Sequence, residues 1–265
     1  MRQYSPRRHK RRGISPRSQL FLTLLLIGSI ALQISYPLIH GESLRLVTLA
    51  TVYFAASLML VHAYLSYGWR YSISYLLITF AYGLAIEQMG VRTGWPFGTY
   101  SYDPSLAYQI YKVPLVVPFA WVMMAHPILM AARRMTKNWI FLYGGLALMA
   151  WDLFLDPQMV SAHRWMWSDI GSGIPFEREI PISNAAGWLF AGMGLIALLN
   201  VALPRERRKG GAESTVVDFF LVWTFFAGVI GNVFFFHRSL IGIFAGLIFA
   251  AIYAPYGFTR WLGRP

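Results

Sequence analysis

Eight long apolar segments constrain the fold of this chain more than any other feature of the sequence. A helix needs about 20 residues to cross the ~30 Å hydrocarbon layer of a bilayer. Each segment is apolar around its whole circumference, as lipid or the core of a membrane bundle requires. The segments span residues 20–39, 46–66, 71–89, 113–130, 139–155, 182–203, 219–236 and 240–258. The sequence therefore predicts an all-α fold, a polytopic transmembrane helical bundle of about eight spans.

The distribution of charge predicts how the bundle is oriented. The chain carries 23 Lys and Arg against 11 Asp and Glu, a net charge of +12. In a soluble protein this excess would suggest nucleic-acid binding, but multi-pass membrane proteins concentrate Lys and Arg in their cytoplasmic loops. With eight spans and a cytoplasmic N-terminus, 17 basic residues fall inside and 6 outside. We therefore expect a cell-membrane protein with both termini in the cytoplasm and with no nucleic-acid partner.

Residues 1–19 form a basic tail ahead of the first span. The apolar run behind the tail is longer than a signal-peptide core and is followed by no convincing cleavage site, so we interpret it as a retained span. We expect the tail to lie in the cytoplasm against anionic lipid, and residues 20–265 to form a single transmembrane domain. The chain has no cysteine, which excludes disulfides, thiolate nucleophiles and iron–sulfur clusters.

Three acids in the predicted spans mark a candidate site, because ionisable groups within a membrane are costly and usually functional. Glu87 lies near the end of the third span. Asp152 and Asp156 lie near the end of the fifth, four residues apart and therefore on one helix face. All three fall in the predicted outer half of the membrane. His62 and His126 lie in the inner half, and we expect them only to pack within the bundle.

Further polar side chains fall at the depth of the acids, and some have structural alternatives. Asn184 begins the sixth span, and Asn232 and His237 end the seventh. Asn184 could instead cap a helix N-terminus, and His237 could be an interfacial residue. Asp156 precedes Pro157 and could simply end its helix. If these residues are functional, four helices contribute polar groups to one layer of the bundle.

Two long loops on the predicted outer face are rich in aromatic residues and stiffened by proline and glycine. They cover residues 90–114 and 156–181. Aromatic belts are ordinary at membrane interfaces, but this density predicts two aromatic-rich outer loops that cap an apolar site. Their aromatic residues are Trp95, Phe97, Tyr100, Tyr102, Tyr108, Tyr111, Trp165, Trp167 and Phe176.

Four motifs carry a resemblance to a known family. They are E-x-x-G-x-x-T-G-x-P-F-G-x-Y-x-Y from Glu87, V-P-L-V-V-P from Val113, W-D-x-x-x-D-P from Trp151 and I-P-I-S-N from Ile180. Together they resemble the integral-membrane carotenoid 1′,2′-hydratase family, which includes the bisanhydrobacterioruberin-type hydratases and is also called "carotenoid biosynthesis protein". The resemblance covers roughly residues 71–203, and the basic N-terminal tail is not part of the family pattern.

The resemblance implies a reaction that the acids can explain. The implied enzyme, a hydro-lyase, adds water to the terminal 1′,2′ double bond of an acyclic ψ-type carotenoid end group and gives a tertiary alcohol. An isolated alkene is a very weak base, so its hydration needs a strong acid, and a carboxyl in an apolar pocket stays protonated more easily than one in water. We predict that Asp152 is this general acid and that Glu87 or Asp156 positions the water.

Aromatic faces can stabilise the resulting carbocation, so we predict an end-group pocket from the nearby aromatic residues and the asparagine of the same layer. The predicted lining is Trp95, Phe97, Tyr100, Tyr102, Trp151 and Asn184. The reaction needs no metal and no redox cofactor. The expected partners are the acyclic carotenoid and the lipid bilayer, and the resemblance allows a carotenoid glycosyltransferase or elongase as a protein partner.

Two other functions compete with the hydratase. Asp152 and Asp156 form a D-x-x-x-D pair that could hold Mg²⁺ and a diphosphate, as in an intramembrane prenyltransferase. Such enzymes use two aspartate-rich motifs, whereas this chain has one. A non-enzymatic carotenoid- or lipid-binding membrane protein is the other alternative. It would leave the mass of an acyclic carotenoid unchanged, whereas a hydratase would add one water.

Overall fold

Eight long helices make up most of the chain in the computed structural model, which describes residues 13–263. They are α1 (Pro16–Ser35), α2 (Gly41–Tyr67), α3 (Trp69–Thr93), α4 (Val116–Met135), α5 (Ile140–Ser161), α6 (Ile182–Ala202), α7 (Thr215–Ile230) and α8 (Ser239–Gly257). Seven of them are long and apolar enough to cross a membrane. The remaining helix, α3, has 25 residues and a more polar sequence. The predicted all-α membrane bundle is thus confirmed, and the chain is a multi-pass membrane protein.

The helices start and end outside the apolar runs wherever polar residues continue the helical backbone. α2 begins at Gly41 and α7 at Thr215, each several residues before its apolar run. α1 begins at Pro16, where the Ser15 hydroxyl accepts a hydrogen bond from the Ser18 amide at 3.1 Å and caps the helix. The end of the predicted tail is therefore helical, and its first 12 residues lie outside the described part of the chain.

Short helical turns extend three of the helices. A 3₁₀ turn (Tyr36–Leu38) follows α1, and π-helical turns follow α7 (Gly231–Phe235) and α8 (Phe258–Leu262). α4 begins only at Val116, because the preceding segment of the apolar run is extended backbone. The helix α5 continues through Pro157, so the alternative that Asp156 simply ends its helix is wrong.

Six short strands lie in the two long loops. They are β1 (Thr99–Tyr102), β2 (Gln109–Ile110), β3 (Val113–Pro114), β4 (Trp165–Asp169), β5 (Gly173–Ile174) and β6 (Glu177–Pro181). β2 pairs with β3 and β5 with β6 within their own loops. β1 and β4 pair antiparallel with each other, from Thr99 opposite Asp169 to Tyr102 opposite Trp165. The two loops therefore form one structure, which we call the cap (residues 94–115 and 162–181).

The helices under the cap pack closely around α4 and along the α5–α6 contact. Fourteen of the twenty residues of α4 are buried. On α5, Gly145 lets α6 approach so closely that an added Cβ would lie 2.6 Å from the Leu189 carbonyl oxygen. This contact fixes α5, which carries two of the predicted acids, against α6, which carries Asn184.

Candidate functional site

Glu87 on α3 accepts three hydrogen bonds inside the bundle. Its Oε2 accepts from the Tyr100 hydroxyl at 2.6 Å and from the Tyr102 hydroxyl at 2.8 Å. Its Oε1 accepts from Trp121 Nε1 of α4 at 3.1 Å. Only 3% of Glu87 is exposed. Because three donors converge on two oxygens, this environment suits an ionised carboxylate, which accepts hydrogen bonds and donates none.

Asp152 and Asp156 on α5 share a single amide donor. Asn184 Nδ2 of α6 donates to Asp152 Oδ2 at 2.9 Å and also to Asp156 Oδ2. Asp156 Oδ1 accepts a further bond from Trp165 Nε1 of β4 at 3.0 Å. Asp152 Oδ1 is buried and has no hydrogen-bond partner among the described residues. Both carboxyl groups are buried, so the pair is a polar group within an otherwise apolar layer of the bundle.

The alternation of side chains along β1 and β4 turns four aromatic residues of the cap toward the interior of the bundle, and three of them contact the acids. Tyr100 and Tyr102 on β1 bond Glu87, while Ser101 between them is exposed. On β4, Trp165 bonds Asp156 and Trp167 Nε1 donates to the Phe97 carbonyl at 2.9 Å. Successive side chains of a strand point to opposite faces. The paired strands therefore give the cap one aromatic inner face.

The two tyrosines that bond Glu87 stay neutral over a wide pH range. Burial raises the pKa of the Tyr100 and Tyr102 phenols well above the ordinary value of 10.0, and the negative charge of Glu87 raises it further. A phenol below its pKa keeps its proton and can donate it in a hydrogen bond. Both hydroxyls therefore remain donors to Glu87 at any physiological pH.

A cavity of about 390 Å³ lies beneath the cap and joins the two groups of acids. Glu87 and Asp156 both line it, together with Asn184, whereas Asp152 is not part of the cavity wall. Its aromatic lining is Phe97, Tyr100, Tyr102, Trp121, Trp151, Trp165, Trp167, Trp188, Phe220, Trp223, Phe235, Phe236, Tyr36 and Phe154. A carboxyl pair and a separate carboxylate thus face one mostly apolar space.

Most of the predicted pocket residues line this cavity, and one does not. Phe97, Tyr100, Tyr102, Trp151 and Asn184 all belong to its wall. Trp95 lies outside the wall with 61% of its surface exposed, in the turn at the start of the cap.

Asn184 does not cap its helix. Pro181 occupies the N-cap position of α6, and the amide of Asn184 bonds the two aspartates instead. The helix-capping alternative for Asn184 is therefore wrong.

The remaining polar candidates lie away from the acids. Asn232 Nδ2 donates to the carbonyl oxygens of Phe154 and Gly228, so it joins α7 to α5. His237 is exposed in the connection between α7 and α8. His62 and His126 are buried side by side, with Nδ1 of the first 3.0 Å from Nε2 of the second. No hydrogen bond links any of these four residues to the three acids within residues 13–263.

The donor set around the aspartates fits hydrogen bonding better than metal binding. Asn184 and Trp165 direct N–H groups at the carboxyl oxygens. A metal cation would need these same oxygens as its ligands. Among residues 13–263, no group of three or more His, Asp or Glu side chains is arranged to hold a metal ion.

Comparison with known proteins assigns the chain to a family. The sequence profile of the carotenoid biosynthesis protein family matches residues 47–253, which include α3, the cap and all three acids. The chain belongs to this carotenoid biosynthesis protein family. The match extends beyond the motif region on both sides, so it also covers α7 and most of α2 and α8.

One curated relative of this carotenoid biosynthesis protein carries a specific name. A protein of Haloarcula japonica named bisanhydrobacterioruberin hydratase is 31% identical over 155 residues. The aligned part is 54% of this chain and 51% of the relative, so the match spans about half the length of each protein. No solved structure matches the chain.

Five tryptophans of the cavity wall were absent from the predicted lining, and three of them, Trp121, Trp165 and Trp188, bond the acids or stack beside them. Trp121 bonds Glu87 and stacks on Trp188, with ring centroids 4.4 Å apart and planes 12° apart. Trp165 holds Asp156. The spacing of four residues from Asn184 could have identified Trp188, because it places both on one face of α6. The contacts of Trp121 and Trp165 depend on long-range packing, which local spacing does not reveal.

Proposed function

We propose that this carotenoid biosynthesis protein is a hydratase that adds water to the terminal 1′,2′ double bond of an acyclic carotenoid. The observation that carries the proposal is one mostly apolar cavity beneath the cap, lined by Asp156 of a buried carboxyl pair and by a separate, fully hydrogen-bonded carboxylate. The name of the Haloarcula japonica relative supports hydration chemistry. An alkene has no polar group that the site could bind. A site for its hydration therefore needs a proton donor, a group that stabilises a cation and a shape that excludes bulk water.

The aspartate pair is the proposed proton donor. Two negative charges that share one amide in an apolar layer repel each other strongly, so the pair is most stable with one proton between them. Asp156 lines the cavity and delivers this proton to the less substituted alkene carbon, whereas Asp152, which shares the Asn184 amide but is not part of the wall, acts as a positioning residue. The structure therefore supports Asp156, rather than Asp152 as expected from the sequence, as the residue that meets the substrate.

Glu87 and the tryptophans are the proposed stabilisers of the tertiary carbocation. Glu87 faces the cavity as a carboxylate whose three donors hold it in place. Trp121 and Trp188 stack, and Trp151 meets Trp188 edge to face at 5.7 Å between ring centroids. A desolvated cation over such faces gains about 2 kcal/mol or more. These groups lower the energy of the cation rather than that of the neutral alkene, which is what acceleration requires.

The proposed cycle balances without a cofactor. The π electrons of the alkene take the proton from the aspartate pair and leave a cation on the neighbouring carbon. A water molecule forms the new C–O bond to that carbon, and its surplus proton returns to the aspartate pair. Asn184 and Trp165 stabilise the pair while it carries both negative charges, through their N–H donors. The product is a tertiary alcohol and the enzyme regains its starting state.

Expression in a bacterium that makes an acyclic carotenoid tests this function. We expect a product heavier by one water molecule, detected by liquid chromatography and mass spectrometry. Loss of a general acid typically costs about 10²–10⁴-fold in rate, so D156N should abolish visible conversion, and D152N and E87Q should reduce it strongly. D169N is the matched control, because Asp169 is an exposed acid of the same cap. All variants are compared at equal membrane abundance.

The outcomes separate the function from the assignment of roles. If the wild type binds the carotenoid without changing its mass, the protein is a binder and the hydratase proposal is wrong. If D156N converts as well as D169N, Asp156 is not the proton donor. A requirement for Mg²⁺ and a prenyl diphosphate would indicate a prenyltransferase instead.

We also propose that the cap faces the outside of the cell membrane. The Lys and Arg count supports this orientation, since 10 of the 16 basic residues in the described part of the chain lie at the end away from the cap.

A further inference from the structure

The cavity of the site reaches the surface of the bundle between two helices. Four large lining residues are more than a third exposed, namely Ile34, Leu38, Ile230 and Phe235, at 44–63%. All four are apolar, and they belong to α1, α7 and the turns that follow these helices. The cap residues of the same wall are buried or half-buried. The cavity is therefore closed under the cap and opens sideways, between exposed apolar side chains of the bundle.

One side of this opening is the most weakly held helix of the bundle. Two of the twenty residues of α1 are buried, against fourteen of twenty in α4. A helix with so little buried surface separates from its neighbours at low cost. Along the cavity wall, Trp223 Nε1 of α7 donates to Gln33 Oε1 of α1 at 3.1 Å. This polar contact links the two sides of the opening.

We propose that the gap between α1 and α7 is a lateral portal for the long hydrocarbon chain of the substrate, and that the Gln33–Trp223 hydrogen bond holds its two sides together and limits its width. The inference rests on the proposed function and adds the route and resting place of the chain. Drug-sized ligands fill pockets of roughly 300–1,000 Å³. A cavity of about 390 Å³ therefore accommodates an end group, while the longer part of a carotenoid remains in the portal and the bilayer.

Cysteine labelling tests the portal cleanly because the chain has no cysteine of its own. I34C and I230C place one thiol at each side of the opening. L198C is the matched control on α6, where Leu198 is 44% exposed, as is Ile230. Membranes are treated with a bulky maleimide that partitions into lipid. For each variant, the labelled and unlabelled forms are compared in conversion of an acyclic carotenoid and in the amount of carotenoid that copurifies.

We expect labelling of I34C and of I230C to reduce both conversion and bound carotenoid at least tenfold, and labelling of L198C to change neither. If labelled I34C and I230C behave like labelled L198C, the portal is elsewhere and the inference is overturned. The binding measurement does not depend on catalysis. If the wild type retains carotenoid without hydrating it and the labels remove that carotenoid, the portal stands while the proposed function fails.

W223F tests the hydrogen bond between the two sides, because it keeps an aromatic ring and removes the indole N–H. Hydrogen bonds between membrane helices contribute on average enough to change an equilibrium about threefold. We therefore expect bound carotenoid to transfer from W223F to empty vesicles about threefold faster than from the wild type. W139F is the control, since Trp139 is exposed and lies outside the cavity wall. Equal transfer rates for W223F and W139F would show that the hydrogen bond does not limit the portal.

Discussion

Replacing Gly187 with alanine tests whether the cap must sit directly on α6. Gly187 lies three residues after Asn184, in the first turns of the helix. An added Cβ would lie 2.7 Å from Phe97 Cδ1 and 2.8 Å from the Pro96 carbonyl oxygen. Ordinary contacts of a Cβ begin near 3.4 Å, so the backbone of the cap has to retreat by roughly half an ångström. Because one of the close atoms is backbone, a change of rotamer cannot relieve the contact.

The expected magnitudes for G187A differ between stability and activity. Overpacking costs about 1–3 kcal/mol, and the higher helix propensity of alanine returns about 1 kcal/mol. The free energy of unfolding should therefore fall by about 0–2 kcal/mol. Phe97 lines the cavity, and the cap carries the two tyrosines that hold Glu87. A misplacement of about 1 Å can cost 10²-fold in rate, so half of that should reduce carotenoid conversion about tenfold.

Two measurements check G187A. Thermal unfolding in detergent, followed by tryptophan fluorescence, gives the stability change, and mass spectrometry of the carotenoids gives the conversion. G257A is the matched control, because a Cβ at Gly257 of α8 would meet nothing within 4 Å. If G187A matches G257A in both conversion and unfolding midpoint, the cap does not need its close contact with α6 and the reasoning is refuted.

Two further predictions concern the cap. R238A removes hydrogen bonds from the α7–α8 connection to Glu177 and Glu179, so added protease should cut the second cap loop at least several-fold faster while the helices stay intact; cleavage at the wild-type rate would contradict this. Burial raises the pKa of Tyr100 and Tyr102, so both phenols stay protonated as the pH rises past 10.0. Their hydrogen bonds to Glu87 are lost only above the raised pKa. We therefore expect that ionisation of these phenols causes no decline in carotenoid conversion near pH 10. A decline near pH 10 that is present in the wild type and absent in Y102F would contradict this prediction.

The helices could be predicted from the sequence because hydropathy is a local property of each segment. All eight predicted spans correspond to helices among residues 13–263. The ends of α2 and α7 were missed, since Glu42 and Asp218 lie in first turns where acids favour the helix although they are not apolar. α5 was cut short because proline usually ends a helix, whereas here the helix continues past Pro157 to Ser161.

The acids of the site could be predicted from their positions within the apolar segments, but their hydrogen-bond partners could not. Glu87, Asp152 and Asp156 stand out because charged groups are rare in apolar segments. Their donors come from elsewhere in the chain, such as Trp121 on α4 and Trp165 on β4. Such contacts arise from helix packing and strand pairing over long sequence distances, which a single sequence does not encode in its spacing. The different access of the two aspartates to the cavity depends on the same packing.

The pairing of β1 with β4 also has a consequence for how the protein is made. Thr99 and Asp169 lie opposite each other although 70 positions separate them. While the first four helices are inserted during synthesis, β1 has no partner, and unpaired strand edges invite association with other chains. Glu87 has its tyrosine donors fixed by the sheet only after α5 and the second loop have been delivered to the same side. The complete site therefore forms only when both cap loops are on the same side of the membrane. A chain that is truncated before the second loop, or that has the second loop on the other side, would lack the complete site.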